Sequence, residues 1–377
     1  MLSCLIHLGA VTVVSLSLAL TRLSLDAVLT PQTSQVDFRL VDSVQFELLP
    51  EMEYALHYYS NSRYYALDTR QRTILKFNAK GALVHTINRY GAGPDEYSSI
   101  AGFYPVGPDT MYIITKQAIL AYNWKGQILK KHKLSEEVII TGGFNQVSYS
   151  GGIFFISAFD PQLSAQEMSF YEKSFNLIGI NYHNGQIRRL GFYYPESIYR
   201  KYRFPVQMNP VHAVQGETVY SLLPFDQILF KINSKDLSVQ KIRLNPQHFG
   251  SIYYKDSEEL TEQLLMLQKN AQYEALAVSK KYIFTDYEVA RPDAFVFRDI
   301  QELNKNPYRA KRYWNIYSTS TGEKLTVTDI PAQTHHFAVL GFENDSTLLI
   351  RGAVPAADND WQNYQVYVYR YVISMKD

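Results

Sequence analysis

From about residue 36 onward, short runs of apolar or alternating residues recur between turns rich in Gly, Asn, Asp and Pro. Such runs predict β-strands, and the closely spaced turn residues predict that neighbouring strands form hairpins. Only one stretch has a convincing helical period. The hydrophobic pattern therefore predicts an all-β chain.

One unit of strand, strand, turn and strand repeats along the chain. Its clearest copies hold turns at 78–81, 123–126 and 233–236, and weaker copies hold turns that start at Asn181 and Ser318. Asn and Gly in these turns supply the positive φ angles that a tight hairpin needs. Repeats of about 45–60 residues with four strands each are typical of a β-propeller.

The strand count predicts six blades, each running from an inner to an outer strand. Their predicted bounds are 54–88, 101–134, 145–192, 210–244, 274–329 and 335–373. The last blade lacks a fourth strand, and the strand-like segment 36–49 can supply it and so remove an open edge. We therefore predict one domain over 36–377, a six-bladed β-propeller whose ring is closed by an N-terminal strand.

The long loops are all predicted to lie on one face of the ring. The turns between first and second strands, and between third and fourth strands, are short. The loops on the other face are 89–100, 159–174, 193–209, 245–273, 288–311 and 353–363. Segment 257–269, between blades four and five, is predicted to be a helix capped by Asp256 or Ser257. Long loops on a rigid scaffold often carry function, so we expect this face to be the working face.

The N-terminal segment 1–28 is predicted to be a signal peptide or a membrane anchor. Residues 1–20 are apolar and contain no Lys or Arg. Cys4 follows Leu2-Ser3 as in a lipoprotein signal and is a candidate for lipidation, although no apolar segment precedes it. Either the true start lies upstream, or Cys4 is simply part of the apolar segment. The expected location is the periplasm or the cell envelope, with the membrane reached through the N-terminus.

Composition narrows the function classes. The formal net charge is +1, which argues against a nucleic-acid-binding protein that works through a basic face. The single cysteine excludes an intrachain disulfide and a cysteine-based zinc site. Thirty Tyr, 20 Phe and three Trp favour strands and supply many rings for packing or binding.

Two segments carry a family resemblance. The first contains Leu67-Asp68 and the run 74–81; the second is Gly91-Ala-Gly93-Pro94-Asp95-Glu96-Tyr97. Together they resemble the bacterial six-bladed, TolB-like β-propeller lipoproteins of unknown function. That family usually has Gly where this chain has Asp95. The resemblance implies the propeller fold and an exported, often lipid-anchored protein, and it supplies no catalytic residues.

Aromatic and basic residues in the long loops are the candidate ligand-binding residues, because Tyr, Trp and Arg are enriched at binding hot spots. They are Tyr193, Tyr194, Arg200, Arg203, Tyr308, Arg309 and Trp361. They would suit a sugar ring, an anionic ligand or a peptide. The alternative is that they only stack between loops and leave their charged groups in water.

His335 opens the inner strand of blade six and is a further candidate at the channel mouth. It is followed by His336, and only one of two adjacent strand residues can face the channel. A metal site would need partners such as Asp286 or Asp95, and a structural histidine explains the pair more simply. We predict no metal and no cofactor. Gly91-x-Gly93 lacks the following helix and the lysine of a phosphate loop.

These features predict an exported propeller that binds a ligand or protein partner on its long-loop face. The ligand is open: a carbohydrate, a peptide or an envelope protein. The alternative is a hydrolase or lyase with its active site at the mouth of the central channel. A third hypothesis is a structural subunit of an envelope complex.

Overall fold

The protein, a computed structural model, is described here for residues 36–46, 54–141, 146–165, 167–204, 208–257, 259–299, 301–302, 310–329, 338–355 and 364–376. Its strands form six antiparallel sheets, of which five have four strands and one has five. Each sheet is a blade, and the inner strands of neighbouring blades contact one another around a central axis. The predicted six-bladed β-propeller is confirmed.

The elements follow the blades in chain order. Blade 1 contains β2 (Tyr54–Ser60), β3 (Arg63–Asp68), β4 (Thr73–Phe77) and β5 (Leu83–Ile87). Blade 2 contains β6 (Gly102–Val106), β7 (Thr110–Ile114), β8 (Ala118–Asn123) and β9 (Ile128–Lys133). Blade 3 contains β10 (Ile139–Ile140), β11 (Ser148–Ser150), β12 (Ile153–Phe159), β13 (Phe175–Asn181) and β14 (Ile187–Phe192).

The second half of the ring is built in the same way. Blade 4 contains β15 (Val211–Gln215), β16 (Thr218–Leu222), β17 (Ile228–Asn233) and β18 (Val239–Arg243). Blade 5 contains β19 (Gln272–Val278), β20 (Tyr282–Glu288), β21 (Arg312–Ser318) and β22 (Lys324–Asp329). Blade 6 contains β23 (Ala338–Phe342), β24 (Thr347–Pro355), β25 (Tyr364–Met375) and β1 (Val36–Gln45). The helices are α1 (Met168–Lys173), α2 (Ile198–Tyr202), α3 (Leu260–Lys269) and the 3-10 turn Asp293–Phe295.

The middle strands of each blade are buried on both faces. Every residue of β4 is buried, and so is every residue of β13 except its last. The outer strands differ: three consecutive residues of β9 are exposed. A blade packs against a neighbour on each side, so its middle strands need continuous apolar sequence, whereas its outer strand faces water.

Large aromatic rings fill the space between blades. At the junction of blades 5 and 6, the Phe38 ring lies 4.6 Å from that of Tyr371 and 5.4 Å from that of Trp314. Trp314 also contacts Phe284, at 5.6 Å between ring centroids. Rings at these separations add attraction beyond the burial of their area. This packing accounts for the high Tyr and Phe content of the chain.

The repeated turn between third and fourth strands has one chemistry throughout the ring. Asn78 Oδ1 accepts hydrogen bonds from the backbone N–H groups of Lys80 (2.8 Å) and Ala82 (3.1 Å). The side chains of Asn123, Asn181 and Asn233 accept equivalent bonds in their own blades. The asparagine therefore fixes the turn locally, as its position in the repeat predicts.

These turns also hold neighbouring blades together. The backbone oxygen of Gly126 in blade 2 accepts a hydrogen bond from Arg89 Nε, which follows blade 1 (2.8 Å). Gly81 in blade 1 lies so close to blade 6 that a Cβ atom added to it would be 2.1 Å from the carbonyl oxygen of Gln45. Its φ of +82° also disfavours any residue with a side chain.

The ring closes through β1, which is the outer strand of blade 6. It pairs antiparallel with β25 from Val36↔Met375 to Gln45↔Tyr367, with one bulge between Leu40 and Asp42. The predicted closure by 36–49 is confirmed over Val36–Gln45; residues 47–49 lie outside the described residues. The first and last strands of the propeller therefore belong to one sheet.

The predicted helix 257–269 begins later than expected. α3 starts at Leu260 with Glu259 as its N-cap, and no side chain caps it. The proposed caps were wrong: Asp256 pairs with Arg203 instead, and Ser257 Oγ accepts from the backbone of Glu259. α1 and α2 were not predicted, because six and five residues are too few to show a helical period.

Deleting residues 36–45 is expected to cause aggregation. The deletion removes the partner of the 12-residue strand β25 and uncovers the packed rings beneath Phe38. Size-exclusion chromatography with light scattering measures the change. A chain lacking residues 1–34 is the matched control and should stay monodisperse. A monodisperse 36–45 deletion with unchanged thermal stability would contradict the assigned closure.

Gly81→Ala is expected to destabilise the ring more than Gly107→Ala. Both glycines have positive φ, at +82° and +70°, so both variants lose about 1–2 kcal/mol from backbone strain. Only Gly81 meets a neighbouring blade, because nothing lies within 4 Å of the position of a Cβ on Gly107. The clash should add about 1–3 kcal/mol in urea denaturation. Equal losses would show that the turn does not hold blades 6 and 1 together.

Candidate functional site

The long loops of blades 3, 4 and 5 form a layer of their own on one face of the ring. We call the segments 160–174, 193–204 and 244–271 the loop layer; they carry α1, α2 and α3. Each joins strand ends on the same side of the propeller, opposite the short turns, as the predicted topology requires. The loop layer therefore covers one end of the ring.

An aromatic core holds the loop layer together. Tyr193 lies between α1 and α2, with its ring 5.6 Å from that of Phe170 and 6.1 Å from that of Tyr199. Met266 of α3 and Phe225 of blade 4 belong to the same cluster. The buried members are Phe170, Tyr171, Tyr193, Tyr199, Phe204, Leu223, Phe225 and Met266. The loops are therefore packed like a small domain core.

A buried carboxylate anchors the loop layer to blade 4. Asp226, in the loop between β16 and β17, accepts hydrogen bonds from the Ser197 hydroxyl (2.5 Å) and the Ile198 backbone N–H (2.9 Å). These groups lie at the start of α2, where a carboxylate interacts favourably with the free N–H groups. Burial nevertheless raises the pKa of Asp226 to about 6. The anchor is therefore a group that titrates near neutral pH.

A buried amide ties down the other end of the layer. Asn270, directly after α3, donates from Nδ2 to the carbonyl oxygens of Met266 (2.7 Å) and Tyr253 (2.8 Å). Its Oδ1 accepts from the backbone N–H of Tyr253 at 2.7 Å. One side chain thus joins the end of α3 to the loop before it.

The two predicted tyrosines of the loop layer are packed. Tyr193 is 2% exposed, and its hydroxyl donates to the carbonyl oxygen of Met208 at 3.3 Å. Tyr194 is partly buried, and its ring stacks on that of Phe230 at 4.2 Å. Their contacts correspond to the alternative interpretation, stacking between loops. A contribution of Tyr193 to binding would have to be indirect.

The two predicted arginines lie nearer the surface. Arg200 is partly buried in α2. Arg203 is exposed, ends α2 with a φ of +51°, and pairs with Asp256 at 3.1 Å. Tyr308, Arg309, Trp361 and His335, as well as Cys4, lie outside the described residues. The structure therefore brings Arg203 to the surface beside α3, and the binding roles of all these residues stay predictions.

The motif 91–97 forms a compact link between blades 1 and 2. Glu96 carries a carboxylate oxygen that accepts from the Gly93 backbone N–H at 2.7 Å. The same oxygen would lie 2.0 Å from a Cβ on Gly91, so only glycine fits there without movement. The Pro94 carbonyl oxygen accepts from the Lys131 ammonium group at 3.1 Å. Glu96 is therefore used to shape the loop.

Tyr97 and Asp95 connect this motif to both blades. The buried Tyr97 hydroxyl donates to the Arg72 carbonyl oxygen in blade 1 at 2.7 Å. The Tyr122 hydroxyl of blade 2 donates to the Asp95 carbonyl oxygen at 2.9 Å. The motif therefore has a structural role, the loop-anchoring one that the sequence left open for Asp95 and Glu96.

A cavity occupies the centre of the ring and was not predicted from the sequence. Its volume is about 360 Å³, and all six inner strands line it. It extends to the ends of these strands, where Ser279 and the turn 343–345 lie, and so it reaches the short-turn face. No local motif announces it, because each blade contributes only a few residues.

The cavity combines aromatic and acidic groups. Tyr58, Tyr104 and Tyr149 lie on blades 1, 2 and 3, and Glu343 lies in the first turn of blade 6. The Tyr59 hydroxyl donates to the Glu343 carboxylate. Burial together with this acidic neighbour raises the pKa of Tyr59. The wall can therefore offer rings, hydroxyls and carboxylates to a small ligand.

Searches for two further features gave negative results within the described ranges. None of the helices there is long and apolar enough to cross a membrane. No group of three or more His, Cys, Asp or Glu side chains in these ranges could hold a metal ion. The expected absence of metal and cofactor stays a prediction.

Comparisons with known proteins agree on the fold. A model of the family DUF5128, a six-bladed β-propeller, matches residues 54–333. A DUF4221 family member from Bacteroides vulgatus has a similar structure, with a TM-score of 0.68 at 11% identity over 91% of this chain and 99% of that one. A Bacteroides fragilis protein to which export is ascribed gives 0.53 at 11% identity, over 91% and 96%. No curated protein is significantly similar in sequence.

Asp226→Asn is expected to flatten the pH dependence of stability. The folded-state pKa of about 6 exceeds the ordinary 3.8, so the folded protein holds a proton that the unfolded chain releases. Stability from this group is therefore fully present below pH 3.8 and falls as the pH rises to about 6, by about 3 kcal/mol in total. Urea denaturation between pH 4 and 7 measures it. Parallel profiles for parent and variant would contradict the raised pKa.

Proposed function

The chain belongs to the DUF5128 family of six-bladed β-propellers, and from this premise we propose that it is an exported binding protein that receives a protein partner on its long-loop face. The observation that carries the proposal is the loop layer. The six blades already close into a ring through β1 and β25, so the ring does not need this layer for closure. A packed layer with its own aromatic core, beyond what closure requires, is typical of a surface maintained for recognition.

The surface of the loop layer has the residue types of a protein interface. The Tyr202 and Tyr254 rings, both partly exposed, lie 5.2 Å apart. Arg203 and Asp256 form an exposed ion pair beside them, and Leu260 is 70% exposed at the start of α3. Aromatic rings, arginine and an exposed leucine with charges of both signs suit a protein partner better than a uniformly charged polymer.

Export is supported from outside the described residues. The apolar segment 1–20 has the composition of a signal or an anchor. Export is also ascribed to the structurally similar Bacteroides fragilis protein. We include in the proposal a tether to the membrane through the N-terminus, with Cys4 as the candidate lipidated residue and the cell envelope as the location.

The alternative function, a hydrolase or lyase at the channel mouth, is less well supported. It needs a carboxylate or imidazole available for acid–base chemistry. Glu343 is already engaged by Tyr59 and by Arg370, whose Nε lies 3.4 Å from it. His212 Nε2 donates to the Phe155 carbonyl oxygen at 3.1 Å. These contacts favour binding over catalysis.

Photocrosslinking in intact producing cells tests the proposed face. A benzophenone amino acid replaces Tyr202 or Tyr254, and in control variants it replaces His183 or Lys235 in short turns of the opposite face. We expect one adduct of defined mass from the first pair and none from the controls. Tyr202→Ala, combined with the probe at Tyr254, should reduce the adduct about tenfold if Tyr202 is a hot spot.

Two results would contradict the proposal. One is an adduct of equal yield from both faces, which would indicate nonspecific contact. The other is no protein adduct from any of the loop-layer positions. In that case a carbohydrate array with the purified protein decides whether the same face binds a sugar instead.

A further inference from the structure

The central cavity has the size and position of a ligand site. Its volume of about 360 Å³ lies within the range of about 300–1,000 Å³ that ligand pockets occupy. Strands from six blades converge on it, so the surrounding ring fixes its walls. It reaches the short-turn face, opposite the loop layer. It is therefore a place for a small molecule, separate from the surface proposed for a protein partner.

One side of the cavity is aromatic. The Tyr58 ring lies 5.0 Å from that of Tyr104, and the Tyr104 ring lies 5.6 Å from that of Tyr149. Tyr59 adds a fourth ring to the lining. Burial raises the pKa of Tyr104 to about 12, so its hydroxyl stays neutral at physiological pH. The aromatic wall thus runs across blades 1, 2 and 3 as one continuous surface.

The charged groups of the cavity are acidic. Glu343 and Asp345 belong to the lining, which contains no Lys or Arg among the described residues. Arg370 lies behind Glu343 and offsets its charge. Asp345 makes no ion pair with a described residue and is only partly exposed. Its carboxylate leaves the cavity with a net negative charge.

The one imidazole of the lining does not cancel this charge. His212 is buried, and desolvation lowers its pKa below the usual value. The ring is therefore neutral at physiological pH, and its Nε2 hydrogen is already donated to the Phe155 carbonyl oxygen. An anionic ligand would meet carboxylates without a compensating cation.

We propose that this cavity binds a small organic cation, with an ammonium group set against Tyr58, Tyr104 and Tyr149 and balanced by Asp345. Aromatic rings attract a cation through their negative faces, and a carboxylate in a partly enclosed site adds Coulomb attraction that bulk water would weaken. A neutral ligand of the same shape would bind through its surface alone.

Calorimetric titration with paired probes tests the charge requirement. Choline is compared with 3,3-dimethylbutan-1-ol, its uncharged isostere, and 1-aminopentane with pentan-1-ol. We expect at least one cation to bind about tenfold more tightly than its neutral counterpart. If neither cation exceeds its counterpart, the proposal is overturned.

Two substitutions locate the site. Asp345→Asn should weaken binding of the preferred cation at least about fivefold and leave the neutral isostere unchanged. Asp236→Asn is the matched control, because it removes the same charge from an outer turn of the same face, and it should change neither. Equal effects of the two variants would show that the charge acts from a distance rather than in the cavity.

The aromatic wall has its own pair of variants. Tyr104→Ala should weaken cation binding by about three- to thirtyfold, whereas Tyr104→Phe keeps the ring and should stay within about twofold of the parent. Circular dichroism verifies that each variant is folded. If Tyr104→Ala fails to fold, Asp345→Asn still decides the proposal. Crosslinking at Tyr202 is measured separately, so failure of the cation site and failure of the protein-partner site are distinguishable.

Discussion

Each blade of this propeller depends on being packed between two neighbours, because its second and third strands are apolar on both faces. A lone blade would leave β4 or β13 with exposed apolar surface on each side. The ring satisfies this constraint only when it closes, so β1 must cross back to pair with β25. Aromatic rings such as Phe38 and Trp314 fill the gaps between blades, since their size bridges the widening space between twisted sheets.

The part of the fold that depends on local chemistry could be predicted from the sequence. Alternating runs and the recurring asparagine turn specify the strands and the number of blades, because Asn78 and its equivalents fix each turn through bonds within a few residues. The lengths of α1 and α2 and the start of α3 could not be predicted. Those helices are stabilised by tertiary contacts of side chains such as Tyr199 and Met266, and so no sequence-local signal marks their ends.

The candidate sites were predictable only as far as topology places them. Strand order alone puts the long loops on one face. It does not tell which tyrosine of a loop is packed and which is exposed: Tyr193 is buried and Tyr202 is partly exposed, although both lie in the segment 193–204. The cavity escaped prediction for a different reason. The tyrosines that line it have the same strand spacing as those that pack between blades, and only the closed ring separates the two roles.

The two ends of the ring are under different constraints, and this difference bears on how each can bind. The loop layer is attached through a few polar anchors, chiefly Asp226 with Ser197 and Asn270 with Tyr253, so its outer surface can vary without disturbing the blades. The cavity has no such freedom. Tyr58 lines it and also packs on Phe103 at 5.1 Å, so one side chain serves both the ring and the site. Chemistry placed on the inner strands is therefore coupled to the stability of the ring, whereas chemistry on the loop layer is largely independent of it.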